Sequence, residues 1–230
     1  MLIGKGLKLT LETKVLYTML KHRKLLIEEI SMLTNASIEV VENIIDRYRA
    51  YFKTLREEIV LVKPVELALV LISRGIEPAK VCETLNWRDF EEISLRILLE
   101  SGYEAVHRLM LTSPVRLEID VFGVEPVSGI GVAIDCKHWS ANSEAKLVEA
   151  ASKHIERMNK LLRYYTWLKA RYRELAKAKY VLPALVTLFK PPLRVYSNVL
   201  VLGIEEMPQI LRDIRVVIDA FSLELIKLPT

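Results

Sequence analysis

The sequence predicts an α/β fold: a central mixed β-sheet flanked by helices and preceded by a small, mainly helical domain. Three observations predict it. Apolar residues recur every three or four positions through the first part of the chain, the spacing of one helix face. At residue 103 the pattern changes to the alternation of strands, and from there the order is three strands, a long helix and two further strands. The length of 230 residues suffices for one sizeable domain plus a small one.

The first 62 residues read as three helices. Residues 12–21 carry Val15, Leu16, Met19 and Leu20 for one face, and residues 25–33 follow. Thr34, Asn35, Ala36 and Ser37 then supply a turn, with Ser37 placed to cap a third helix over 38–52. In that helix Ile38, Val41, Ile44, Ile45 and Tyr48 have the spacing of a buried face, and Arg47, Arg49 and Lys53 are left for solvent. The outline is that of a winged-helix or helix-turn-helix-like domain, 1–62, with 55–62 as a strand or small wing. Two readings stay open for it, DNA binding and assembly, because Glu39, Glu42 and Asp46 on the third helix would repel phosphate if exposed.

Residues 63–86 read as a helical connector. Pro64 fits the first turn of a helix ended by Gly75, and a shorter helix runs from 77 to 85. The second domain, 87–230, opens with a helix over 89–101 stopped by Gly102. Strands follow at 103–111, 115–124 and 130–137, plausible as a meander. In the second of these Val115, Leu117, Ile119 and Val121 alternate with Arg116, Glu118, Asp120 and Phe122. A helix from 142 or 143 to about 178 places Leu147, Ala151, Ile155, Met158, Leu162, Tyr165 and Leu168 on one face. Residues 180–189 and 194–202 are strand candidates separated by Pro191 and Pro192, and the tail holds a short helix over 206–214 and an extended segment over 216–228.

Composition narrows the class. The start lacks the long apolar segment of a secretory signal, and the most apolar windows, 67–72 and 199–204, fall far short of a bilayer span, so a cytoplasmic protein without a membrane partner is expected. Two cysteines, Cys82 and Cys136, form no spaced metal-ligand set, which argues against zinc. The net charge is +4, yet residues 143–179 hold ten Lys or Arg against four Glu, a local +6 that leaves −2 elsewhere. Charge so concentrated fits a phosphate-bearing partner, or else a solvated amphipathic helix. Within it Lys153, Arg157 and Lys160 are the candidate DNA phosphate contacts.

The chemistry-bearing constellation is Glu118-Ile119-Asp120 on one strand and Asp135-Cys136-Lys137 on the next. Side-chain alternation points Asp135 and Lys137 to one side and Cys136 to the other. If the strands pair, Asp120 and Asp135 converge on one divalent cation, for which Mg²⁺ needs few protein oxygens because substrate phosphate and water complete its shell. Lys137 then lies within reach of the attacking water or a phosphate oxygen. The competing reading is a set of salt bridges on a solvated strand; the apolar, small-residue run before Asp135 argues against it. Glu118 is a possible additional ligand or a salt-bridge partner of Lys137. His138 and Trp139 are possible substrate contacts, by phosphate binding and base stacking, or pack at the strand end. Cys136 reads as a packing thiol.

Leu117-Glu118-Ile119-Asp120, a hairpin, and Ala133-Ile134-Asp135-Cys136-Lys137-His138-Trp139 together resemble the PD-(D/E)XK nuclease superfamily, in the variant with aspartate as the second acid. Asn86 to Ile93 and Leu98 to Tyr103 resemble the first core helix of its restriction-endonuclease-like members, and with the amino-terminal region the chain is similar to a group of archaeal restriction-endonuclease-like proteins. The resemblance implies a restriction-endonuclease-like core that binds Mg²⁺, with Mn²⁺ able to substitute, and that cuts DNA, double-stranded or branched, as an endonuclease. It implies Asp120 as first metal ligand, Asp135 as second, Lys137 as catalytic lysine, and Glu91 as the helix acid that contacts the metal or its water. For Glu91 an interaction with the helix N-terminus is the alternative. Ile119, where the simplest motif has proline, is a departure. A homodimer would place two scissions, as would two independent nicks. The alternative to an enzyme is a noncatalytic DNA-binding protein that retains the nuclease scaffold.

Overall fold

A computed structural model describes residues 10–229, so the reading of the chain's first nine residues lies outside the described residues. The chain divides into two compact units, the first ending at Leu85 and the second beginning at Asn86.

In the first unit α1 (Leu11–His22) starts at Thr10, whose side chain accepts the amide of Thr13. A short strand β1 (Lys24–Leu26), α2 (Ile27–Thr34) and α3 (Ile38–Arg47) follow, then a hairpin of β2 (Phe52–Leu55) and β3 (Glu58–Leu61). Ser37 caps α3 as expected, accepting the amide of Val40. The sheet order is β1-β3-β2, and the hairpin turns at Arg56 and Glu57, both in the left-handed region. Two expectations are corrected. Residues 24–26 leave the helix expected from 25 to pair with β3, and the third helix ends at Arg47 so that Phe52 can pair with Leu61. Both segments have apolar spacing that either element satisfies, and pairing with β3 decides. The pair expected as a connector, α4 (Pro64–Ser73) and α5 (Pro78–Glu83), packs within this unit; Tyr17 Oη and Arg23 Nη2 donate to the carbonyls of Lys80 and Thr84 on it.

The second unit is a central mixed sheet flanked by helices. Its elements are α6 (Trp87–Glu100), β4 (Glu104–Leu111), β5 (Leu117–Glu125), β6 (Ile130–Lys137), α7 (Glu144–Arg163), α8 (Tyr165–Arg171), β7 (Tyr180–Thr187), β8 (Val195–Tyr196), β9 (Val199–Gly203), α9 (Met207–Arg212), α10 (Ile214–Ala220) and β10 (Ile226–Lys227). The strand order is β4-β5-β6-β7-β9-β8, with β10 against β7. β4, β5 and β6 form the expected antiparallel meander, whereas β6, β7 and β9 run parallel. Helix α6 packs on β4, β5 and β6, and α7 on β5, β7 and β9. Leu98 of α6 sits so close to Gly123 that a β-carbon there would lie 2.9 Å from it. The outer border of β4 is closed by Tyr172, whose hydroxyl accepts the Met110 amide at 3.0 Å and lies 3.2 Å from the Met110 carbonyl.

Sequence expectations differ from the structure in four places here. The long helix breaks after Arg163, where Tyr164 leaves helical geometry and α8 begins. Its buried stripe is Leu147, Ala151, His154, Met158, Leu161 and Tyr165, so His154 and Leu161 replace Ile155 and Leu162. Residues 194–202 are split into β8 and β9 by Ser197 and Asn198, both at positive φ, the backbone of a tight hairpin. Of the tail expected as extended over 216–228, residues 216–220 belong to α10 despite the β-branched Val216, Val217 and Ile218, and Ile226–Lys227 form β10.

Candidate active site

The site forms where the meander loses its regularity. β4 pairs with β5 from Glu104↔Val124 through His107↔Val121 and resumes at Leu109↔Ile119, skipping the position that sets Arg108 opposite Asp120. Arg108 has φ 55°, a conformation that costs a non-glycine residue about 1 kcal/mol or more. In β5 the alternation slips at this point. Leu117 and Ile119 before it and Phe122 and Val124 after it lie in one core cluster, which corrects the simple alternation expected for residues 115–124. The second half of β5 is buried on both faces, so Val121 to Val124 carry no polar side.

On the other edge of β5 the pairing register ends at Val121↔Ile134, one position short of Asp120 and Asp135. Asp120 fills the gap with its side chain: Oδ2 accepts the amide of Cys136 at 2.7 Å. The two aspartates are thus brought to neighbouring positions at the carboxyl end of β6, the end of a parallel strand where ligands of α/β folds collect.

Asp135 is 3 % exposed and carries two cations. Lys137 Nζ lies 2.6 Å from its Oδ2, and Arg157 Nη1 of α7 lies 3.0 Å from its Oδ1. Each carboxylate oxygen thus faces one cation, Oδ2 the Lys137 ammonium and Oδ1 the Arg157 guanidinium. Burial works to raise the Asp135 carboxyl, but Lys137, His154 and Arg157 beside it overrule burial and hold it below its ordinary range. Asp120 goes the other way, pushed up to about 7 by burial first, then by the charges of Asp135 and Glu91, against the pull of the Cys136 amide and Lys137.

Glu91, on the buried face of α6, directs Oε2 at His107 Nε2, 3.1 Å away, and Arg108 Nε, 3.2 Å away. It is therefore near enough to raise Asp120 while held by two basic side chains of β4. Arg108 and Arg88 also lie 5.1 and 5.0 Å from the centroid of the exposed Trp87 ring. Glu118 is half-buried and makes no ion pair with Lys137, whose partner is Asp135. His138 packs edge-on against Phe90 at 5.4 Å, and the Trp139 ring lies 5.8 Å from Lys137 Nζ. Cys136 faces away from Asp135 as expected: its Sγ lies 3.5 Å from Ser94 Oγ, and burial pushes the thiol well up.

Of the three residues of α7 expected to contact phosphate, Arg157 reaches Asp135, Lys153 pairs with Glu149, and Lys160 donates to the Arg116 carbonyl, away from the acids. His107, Arg108 and His154 were missed from sequence. The signal for the first two was a basic pair interrupting the apolar run of β4; for His154 it was a polar residue at a core position of α7. His154 is fully buried, with Nε2 2.9 Å from the Ala133 carbonyl oxygen and Nδ1 without a partner. Among the described residues no group of three or more His, Cys, Asp or Glu side chains is placed to hold a metal ion, and no helix is long and apolar enough to cross a membrane.

No protein-family model matches the chain, and no curated protein does. Among solved structures it is similar to the restriction endonuclease FokI, at 16% identity over 90% of this chain and 45% of that one, with a TM-score of 0.38. It is also similar to the protein VC1899 from Vibrio cholerae, at 11% identity over 94% and 52% of the two chains, with a TM-score of 0.34. A third likeness is to the Thermococcus gammatolerans assembly of McrB AAA+ hexamers with bound McrC, at 9% identity over 94% and 54%, with a TM-score of 0.35. The chain spans about half the length of the solved structures it matches.

Proposed function

We propose that the second unit is a divalent-cation-dependent nuclease of the PD-(D/E)XK kind that hydrolyses phosphodiester bonds in DNA. The observation that carries this reading is the meeting of Asp120, Asp135 and Lys137 at the irregular end of β5 and β6. The charges of Asp135 and Glu91 add to burial in raising Asp120, and a carboxyl so disfavoured as an anion beside other acids is the environment that one hard cation relieves. Mg²⁺ is satisfied by one or two carboxylates with water and phosphate oxygens, so Asp120 and Asp135 would hold it, or Mn²⁺ in its place, and Glu91 would join through water once Oε2 leaves His107 and Arg108. When bound, the cation supplies Lewis-acid charge and a more acidic water at the phosphate.

The rest of the work falls to this chain's own side chains. Lys137 shares the strand face of Asp135 and offers its ammonium to the charge that grows on the phosphoryl oxygens. Asp120 locks the end of β6 through the Cys136 amide and so fixes the spacing of both acids. Arg157 neutralises Asp135 until a cation takes that role, then is free to meet phosphate.

The first unit has the element order and β1-β3-β2 sheet of a winged helix. Its α3 exposes Glu39, Glu42 and Asp46 against Arg47, a poor surface for phosphate, so DNA attachment is assigned to the second unit. A noncatalytic DNA-binding protein on the same scaffold is the second reading, favoured by the two cations already on Asp135.

The test is a cleavage panel of linear, nicked, branched and single-stranded DNA with Mg²⁺ or Mn²⁺, comparing wild type with Asp120→Asn and Lys137→Ala. Metal-dependent scission reduced roughly a hundredfold or more in both variants is expected. Salt-dependent binding with every substrate left intact would establish the second reading instead.

A further inference from the structure

A cavity of about 290 Å³ opens beside the acids, between the end of β6 and α7. Its floor is Asp135 and Lys137, one wall is Trp139, and the facing wall carries Lys146, Lys153 and Arg157. Those three basic residues recur at intervals of seven and four along α7, which sets them on one stripe. Lys153 and Arg157 are paired with Glu149 and Asp135, whereas Lys146 makes no ion pair among the described residues. Four cations and two acids line the cavity, so its charge favours an anion. Trp139 adds a flat apolar surface, held in place by packing against the cluster of Leu147, Ala150, Leu185 and Val201.

A phosphate alone has no use for the indole, and an apolar ligand has none for the cations. A nucleotide uses both. We propose that this cavity takes one unstacked nucleotide of the DNA strand being cut, its phosphate against Lys146 and Arg157 and its base against Trp139. The inference rests on the nuclease reading and names its substrate class: a base on Trp139 has left its own stack, so the preferred substrate is single-stranded, flapped or frayed DNA, not uninterrupted duplex.

The experiment reads binding of fluorescently labelled oligothymidylate and of a blunt hairpin duplex to the full chain in EDTA, so that no cleavage enters. The single strand should bind about tenfold more tightly than the duplex, Trp139→Leu should abolish that preference, and Trp139→Phe should retain most of it. Lys146→Gln should weaken the single strand severalfold while leaving the melting temperature unchanged. Equal or tighter binding of the duplex, or a Trp139→Leu chain that keeps its preference, overturns the proposal. Failure of the nuclease reading would not produce either result, because no metal is present. Conversely, undiminished metal-dependent cutting of single-stranded or flapped DNA by Trp139→Leu would overturn this inference and leave the nuclease standing.

Discussion

Burial of His154 makes the stability of the second unit depend on pH in a direction that can be worked out. The ring is fully buried on α7, donates from Nε2 to the Ala133 carbonyl, and leaves Nδ1 unpartnered, so the folded chain holds it neutral. Burial pushes its pKa down to about 4 from an ordinary 6.5, with Arg157 and Lys137 acting the same way and Asp135 and the Ala133 bond opposing. Between those two values the unfolded chain binds the proton and the folded chain does not. Stability from this group is therefore fully present above pH 6.5 and is lost as pH falls towards 4. Each pH unit is worth about 1.4 kcal/mol, so the full span is worth about 3 kcal/mol, a large share of a domain's stability. His154→Gln keeps an amide donor and removes the titration, and Asp120, which titrates in the same range with the opposite sign, is common to both chains. All three tryptophans, Trp87, Trp139 and Trp167, lie in the second unit, so urea unfolding followed by their fluorescence reads that unit alone. Wild type should lose stability relative to His154→Gln at about 1.4 kcal/mol per pH unit below 6.5. Parallel stability curves for the two proteins would refute the buried neutral ring.

Three further predictions follow from particular contacts. Glu12 accepts from Tyr48 and pairs with Arg74 and Arg47, which hold its carboxyl below 4.5; stability from it is present above that value and lost as pH falls through the folded pKa, and Glu12→Gln should flatten the acid limb of amide exchange in α1. Gly129 has φ +74°, and a β-carbon there would lie 2.9 Å from the Lys177 carbonyl oxygen, so Gly129→Ala should cost roughly 1–3 kcal/mol in urea unfolding read by tryptophan; an unchanged midpoint would count against the turn geometry. Arg157→Leu leaves Asp135 to Lys137 alone, so the metal-free chain should melt lower while Mn²⁺ raises its melting temperature more than it does for wild type; equal shifts would mean that Arg157 does not compete for that carboxylate.

The sequence was most legible where local chemistry and tertiary pairing agree. The run from Ile130 to Lys137 has turn residues before it and only small or apolar residues up to Ile134, and its expected bounds coincide with β6. Alternation alone placed Asp135 and Lys137 on one side and Cys136 on the other, and the contacts of all three follow that division. Ser37 and Gly102 marked element ends because a side-chain cap and a positive φ are local requirements. What stayed hidden depends on distant partners. Nothing local distinguishes Lys24–Leu26 from a helix turn; its partner is β3, more than thirty residues on. Nor does periodicity reveal that the β4 and β5 register skips Arg108 and Asp120, the irregularity that turns Asp120 towards Cys136. Arg157 was read as a surface phosphate contact because a basic residue on an amphipathic helix is ordinarily exposed; it enters the acid site because Asp135 is buried beneath it.

The Tyr172 hydroxyl on Met110 bears on how this chain behaves in a crowded solution. The first strand of a seven-stranded sheet offers a row of unsatisfied amides and carbonyls, an invitation to any passing extended segment and the usual start of aggregation. Here one phenol engages both backbone groups of Met110, and two residues away Arg108 bends the chain out of line. Visiting strands find no straight margin to zip onto, and solubility is protected at the same place where the sheet was distorted to gather its acids.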